Sequence, residues 1–269
     1  AGRVFINSWH DIENPEVVRG NYIQGNHGFI ADNAVIDASG GDKNGGWIDF
    51  SGKDIQWHEN APFKIANKDG EYGTITFDPE GIRFSNLADG RYDDQAYTTG
   101  QAAVIGFGDA YESFNDDMSK YVNFDISGIG MLASLGLSDN ATIQFEAFNR
   151  IEVMNDWNIE TSVGGADGIN LSLKTNGGDM FINGSITANN AGSLSFQSNN
   201  ITVNNNISST SGDINITNLN RLDLNGNLGT NGDINISGPV MLTGASTIRA
   251  SGGNGSDVVI NNTINANNN

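Results

Sequence analysis

The chain has 269 residues, no cysteine, 39 asparagines, 35 glycines and 4 prolines, and its net charge is −19. Without thiols it can form neither a disulfide nor a thiolate metal site. A surface this acidic repels phosphate backbones and anionic lipid heads, and no run approaches the ~20 apolar residues of a membrane helix, so neither nucleic acid nor direct membrane insertion is expected.

Apolar residues make up 37% of the chain, enough for a continuous core. Gly and Asn tolerate positive φ at tight corners. The composition therefore predicts many short strands joined by sharp turns.

Taken from the start, Val4-Phe5-Ile6-Asn7, Ala34-Val35-Ile36-Asp37-Ala38 and Trp47-Ile48-Asp49-Phe50 alternate apolar and polar residues. That period of two marks strands with one buried face. The first of these runs opens almost at Ala1 and the chain stops in Asn267-Asn268-Asn269, so both ends read as cut from a longer protein.

Residues 86–125 break the pattern. They are aromatic (Tyr92, Tyr97, Phe107, Tyr111, Phe114, Tyr121, Phe124) and acidic (Asp89, Asp93, Asp94, Asp109, Glu112, Asp116, Asp117, Asp125). Insertions in a repeat protein leave the stack at corners and often carry the binding face. Tyr92, Tyr97, Phe107, Tyr111, Phe114 and Tyr121 are the candidate partner contacts on that reading. The alternative is that these rings fold back and cap one flank. Residues 126–137 read as holding one short helical turn.

Strands resume at Thr142-Ile143-Gln144-Phe145, Arg150-Ile151-Glu152-Val153 and Trp157-Asn158-Ile159, then at Gly168–Leu173 and Met180–Ile186. From Gly192 the repetition is explicit. Three units open at Gly192, Gly212 and Gly232. Each carries an alternating pair (Leu194/Phe196, Ile214/Ile216, Ile234/Ile236) and then a second (Ile201/Val203, Leu222/Leu224, Val240/Leu242). Each closes on one apolar residue (Ile207, Leu228, Ile248).

One such unit cannot bury its apolar row, but stacked copies can. Coils of about 20 residues with two or three short strands stack as a parallel β-helix. The fold expected is thus all-β: a single right-handed parallel β-helix over residues 1–269, with rungs over 1–85 and 126–269 and 86–125 as an extra-helical excursion. Asn at stacked corners is placed to form amide ladders.

Chemistry-bearing motifs are few. His10, His27 and His58 have no metal-ligand spacing. Asp93/Asp94 and Asp116/Asp117 are sequence neighbours, which a strand would point to opposite faces. No nucleophile elbow or phosphate-cradling loop occurs. No catalytic, cofactor-binding or metal residue is therefore assigned, no cofactor is expected, and the chain is read as a binding protein rather than an enzyme. Gly252-Gly253-Asn254-Gly255-Ser256-Asp257-Val258-Val259-Ile260 fits a calcium-binding nonapeptide, but as a single copy it reads as a glycine corner. Nine Asn-x-Ser/Thr sequons occur, of which Asn140, Asn183, Asn206 and Asn235 are candidate glycosylation sites.

Two segments resemble a known family. Gly45-Gly46-Trp47-Ile48-Asp49-Phe50-Ser51-Gly52-Lys53 and Gly73-Thr74-Ile75-Thr76-Phe77-Asp78-Pro79-Glu80-Gly81-Ile82 are similar to characteristic rungs of two-partner-secreted exoproteins. Leu132, Leu135 and Asn140-Ala141-Thr142-Ile143 follow in the order seen there. The resemblance spans roughly residues 24–190. It is to filamentous-haemagglutinin-like, high-molecular-weight adhesins and the related haem–haemopexin-binding exoproteins.

The resemblance implies a right-handed β-helix on the outer surface of, or released from, a Gram-negative bacterium. It also implies export through an outer-membrane transporter of the parent chain. The NPNL and NPNG motifs of that family's secretion domain are absent, and Asn14-Pro15-Glu16 is not one of them, so the chain resembles the passenger region. The function implied is attachment to host cells or matrix, with a host cell-surface protein or glycan as partner. The alternatives are capture of host haemopexin for haem acquisition, or a purely structural spacer.

Overall fold

A computed structural model describes residues 3–6, 27–30, 35–39, 45–51, 54–57, 63–65, 73–79, 81–86, 122–126, 141–159, 168–189, 192–253 and 255–266. The N-terminal strands are β1 (Arg3–Ile6), β2 (His27–Ile30), β3 (Ile36–Asp37), β4 (Trp47–Ser51), β5 (Asp54–Trp57), β6 (Phe63–Lys64), β7 (Thr74–Asp78), β8 (Gly81–Ser85) and β9 (Val122–Asp125). The central strands are β10 (Thr142–Ala147), β11 (Arg150–Val153), β12 (Trp157–Asn158), β13 (Asn170–Thr175), β14 (Asp179–Ile182) and β15 (Ile186–Ala188). The C-terminal strands are β16 (Leu194–Val203), β17 (Ile207–Ser209), β18 (Ile214–Leu224), β19 (Leu228–Thr230), β20 (Ile234–Ser237), β21 (Val240–Leu242), β22 (Ile248–Ala250), β23 (Val258–Ile260) and β24 (Ile264–Ala266).

They stack in parallel as a β-solenoid with essentially no helix among the described residues, the architecture of a right-handed parallel β-helix. Three ladders run along its axis. The first is β1-β4-β7-β10-β13-β16-β18-β20-β23. The second is β9-β8-β11-β14-β16-β18-β21-β24, in which β16 and β18 bend to serve two faces. The third is β12-β15-β17-β19-β22. Two short parallel pairs, β2-β5 and β3-β6, stand apart.

The register follows the apolar periodicity. Leu194 pairs with Ile214 and Ile214 with Ile234, while Phe196 pairs with Ile216 and Ile216 with Ile236. Ile201, Leu222 and Val240 line up likewise, as do Ile207, Leu228 and Ile248. The repeats differ by a residue between their first and second strands, and a register shift between Ser198 and Asn200 absorbs the difference. Every residue of these columns except Ile248 is buried. Slipping one strand by one residue would turn its whole apolar row outward, so one register is strongly favoured.

The core changes character along the axis. In the N-terminal half it is aromatic. Phe77 stacks on Phe145 (centroids 5.3 Å), Phe84 on Trp157 (4.6 Å), and Phe124 meets Phe145 edge-on (4.7 Å). Beyond Phe196 it is built from Ile, Leu and Val. Glycine is required where coils touch: a Cβ on Gly46 would collide with the Ala38 carbonyl, and one on Gly226 with the Asn205 carbonyl.

One boundary differs from the sequence reading. The last residues of the 86–125 segment belong to the solenoid. β9 pairs with β8, Phe124 opposite Phe84, and Phe124 is fully buried. Ile126 N–H then donates to the Ser85 carbonyl (3.1 Å). β9 thus extends the second ladder on the side of β8 opposite β11. The helical turn read into 126–137 lies outside the described residues beyond Ile126.

Candidate binding surfaces

Each rung points alternate side chains outward, so a ladder presents columns of outward residues spaced by about 4.8 Å. The candidate contacts Tyr92, Tyr97, Phe107, Tyr111, Phe114 and Tyr121, and the candidate sequon Asn140, lie outside the described residues. The sequons Asn183, Asn206 and Asn235 lie on the solenoid wall.

Two of these three bond another side-chain amide. Asn204 Nδ2 donates to Asn183 Oδ1 (2.9 Å), and Asn235 Nδ2 donates to Asn215 Oδ1 (3.1 Å). The expected amide ladders therefore exist as single steps. A second stacking device extends further. Asn206 Oδ1 accepts from Asn227 N–H (3.0 Å), and Asn227 Oδ1 accepts from Thr247 N–H (2.8 Å). Each side chain caps the backbone of the next coil, in the manner of Asx turns. Asp213 and Asp233 repeat it one corner away, accepting from Asp233 N–H (2.8 Å) and Asp257 N–H (2.9 Å). Asn206 is exposed, and its oxygen rather than its nitrogen holds the next coil.

The outer face of the second ladder is ionic. Arg83 bonds Glu152 (3.1 Å) across the rungs, Arg150 reaches the same carboxylate (3.4 Å), and the Arg150 guanidinium lies 4.9 Å from the Phe181 ring centroid. Phe148 and Met154, at the corners flanking β11, are 45% and 40% exposed. Arg221 and Asp223 form a further pair at 2.8 Å.

The first ladder holds a group of residues that sequence reasoning missed. Asp49, Ser51, Thr76, Asp78 and Glu146 alternate with the core residues of β4, β7 and β10 and so sit on the outward face. All five are buried. The corresponding face of β13 (Asn170, Ser172, Lys174) is half-exposed. Ser51 Oγ donates to Asp49 Oδ1 (2.7 Å) and Trp47 Nε1 to Thr76 Oγ1 (3.1 Å). Glu146 accepts from Lys174 Nζ (2.8 Å), Gln144 Nε2 (2.7 Å) and Asn176 Nδ2.

Burial pushes the Asp78 carboxyl well above the ordinary carboxylate range. The charges of Glu146 and Asp49 add to that, and Lys174 opposes it. Alternation marks these positions as outward, where burial is not expected. The remaining local signal was a run of acids and hydroxyls at matching rung positions.

Among the described residues no group of three His, Asp or Glu side chains is placed to hold a metal ion. Gly253 and Gly255 take φ of 94° and 110° ahead of β23. Among the described residues no helix is long and apolar enough to cross a membrane.

The fold defines a class, the elongated parallel β-solenoid, whose outer walls are laid down rung by rung. Comparison of the chain with family models, with curated proteins and with solved structures returns no match.

Proposed function

We propose that the chain is a passenger segment of a secreted bacterial surface exoprotein that attaches to a host cell-surface protein or glycan. It acts by binding and not by catalysis. The observation that carries this reading is the uninterrupted stacking of parallel rungs from β1 to β23. Such a stack is a stiff rod, and a rod suits holding a contact away from a cell better than enclosing a substrate. The half-buried Arg150–Phe181 strip with exposed Phe148 and Met154 offers the aromatic and guanidinium character common at protein contacts.

On this reading the parent chain is exported through an outer-membrane transporter and is displayed on, or released from, a Gram-negative cell. The aromatic residues Tyr92, Tyr97, Phe107, Tyr111, Phe114 and Tyr121 supply the principal contacts.

Binding of the purified chain to host epithelial cells, measured in parallel with binding to immobilised haemopexin, tests the proposal. A variant lacking residues 90–121, which leaves β9 whole, serves as control. Cell binding that disappears in the deletion is the expected result. Haemopexin binding would move the protein to haem acquisition. Binding to neither would make this segment a spacer.

A further inference from the structure

We propose that Asn176 and Gly177 form a self-modification site, at which the folded chain converts the Asn176 amide to a carboxylate through a cyclic imide, and that the new carboxylate loosens the stack beside Glu146.

Six Asn-Gly pairs occur in the sequence, and four of them, at Asn176, Asn183, Asn225 and Asn231, lie wholly within the described residues. In such a pair the glycine nitrogen can attack the asparagine Cγ, because glycine has no Cβ to crowd the approach. The N–Cγ bond forms and the Cγ–Nδ2 bond breaks. Ammonia leaves with the proton given up by the glycine N–H, relayed by water. Water then adds to either carbonyl of the five-membered imide and yields aspartate or isoaspartate. Net, one water is consumed and one ammonia released, and nothing is oxidised or reduced.

Folding decides which pair can react. The Gly184 N–H donates to the Val153 carbonyl and the Gly232 N–H to Thr230 Oγ1, each at 3.0 Å, so neither nitrogen is available. The Gly226 N–H has no acceptor among the described residues, but Gly226 is buried and a Cβ there would lie 2.0 Å from the Asn205 carbonyl oxygen. Its nitrogen has no room to swing toward Asn225. Of the four, only Gly177 combines an N–H without an acceptor among the described residues, an exposed position and open surroundings, since a Cβ on it would meet nothing within 4 Å. It takes φ of 107° at the bend between β13 and β14. Its carbonyl accepts from Asn199 Nδ2, on the side away from the reacting bond.

The product works against its neighbours. Asn176 Nδ2 donates to Glu146 Oε1, and Glu146 is fully buried. Conversion deletes that donor and sets a second carboxylate against the first. Isoaspartate also lengthens the backbone at a residue whose N–H bonds the Ala147 carbonyl on the preceding coil (2.9 Å).

The whole chain is kept in mildly alkaline buffer, folded or in guanidinium, then digested and sequenced by mass spectrometry with electron-transfer fragmentation, which separates aspartate from isoaspartate. In guanidinium the four sites should convert at similar rates. In the folded chain Asn176 should keep most of that rate, while Asn183 and Asn231 should slow by about fivefold or more, the factor set by freeing one bonded N–H. Asn225 should also lag behind Asn176. Slowing at Asn176 equal to that at Asn183 and Asn231 overturns the proposal, as does conversion of Asn225 ahead of Asn176. Aspartate formed without isoaspartate would mean direct hydrolysis and overturns the imide route. Asn176→Asp carries the product's charge from the outset, and its peptides covering β10 and β13 should exchange amide hydrogens faster than those of wild type. Equal exchange overturns the assigned consequence.

Discussion

Ile216→Asp and Thr217→Asp differ by one position on β18, and the fold assigns them opposite fates. Ile216 is 1% exposed and sits in the column between Phe196 and Ile236. Removing its side chain leaves a cavity worth about 2–5 kcal/mol. The carboxyl put in its place finds only apolar neighbours along that column, and a buried polar group without a partner costs about 1–3 kcal/mol more even when protonated. The sum is roughly 3–8 kcal/mol against a whole-domain stability of about 5–15 kcal/mol. Coils of a solenoid depend mainly on their neighbours, so the loss should melt the C-terminal half first. Thr217 is exposed, and Thr217→Asp should move stability by no more than about 0.5 kcal/mol. Urea melts followed by far-ultraviolet circular dichroism, with exchange mass spectrometry to locate the loss, compare the two. Equal effects, or an unchanged melt for Ile216→Asp, would refute the inward assignment and with it the register of the C-terminal coils.

Phe145→Ala removes a ring that touches Phe77, Phe84, Phe124 and Trp157, and should cost about 3–5 kcal/mol, read as a lowered urea midpoint with a change in tryptophan fluorescence. Gly226→Ala sets a methyl against the Asn205 carbonyl and should destabilise by about 1–3 kcal/mol, while Gly229→Ala, which meets nothing within 4 Å, should not; thermal melts of the pair decide. Asn227→Ala strips the acceptor from the Thr247 N–H and should cost about 1 kcal/mol, with faster exchange confined to the corner it caps. Glycan attachment is expected at Asn206 ahead of Asn183 and Asn235, and peptide mapping of protein recovered from a secreting host checks the order. Occupancy of Asn235 before Asn206 would contradict it, because the Asn235 nitrogen is engaged with Asn215.

The C-terminal coils were legible because their information is local. Leu194, Ile214 and Ile234 are pinned at one register by corners of nearly constant length, and each apolar residue meets its own equivalent one coil away. Period-two alternation is then sufficient to place every buried side chain. The Asn corners were legible in kind but not in detail. Stacked amides were expected to bond each other, and more often a side-chain oxygen instead takes the backbone N–H of the next coil, as Asn206 and Asn227 do. A backbone donor at a turn has few other acceptors within reach, whereas an amide beside water has many.

The N-terminal half resists the same reading for two reasons, both non-local. β9 pairs with β8 although dozens of residues separate the two in sequence, and nothing in Val122-Asn123-Phe124-Asp125 distinguishes a strand of the stack from one outside it. What decides is that the Phe124 ring fills space bounded by Phe77, Phe84 and Phe145, a set drawn from three strands on two coils. The second reason is the buried outward face. Alternation tells inside from outside, but it equates outside with water, and for Asp49, Asp78 and Glu146 that equation fails. An outward acid in water is inexpensive and tolerant of substitution. The same acid without water must be hydrogen-bonded, paired or protonated, and Glu146, with donors from Lys174, Gln144 and Asn176, meets that demand through three side chains on its own and the following coil. Glu146→Leu would leave Lys174 without this carboxylate on a half-buried face, while Glu146→Gln would keep most of the bonds. The ratio of their stabilities therefore measures how far charge, rather than shape, holds that face together. A near-equal pair would mean that packing alone suffices and that the acids are incidental to the stack.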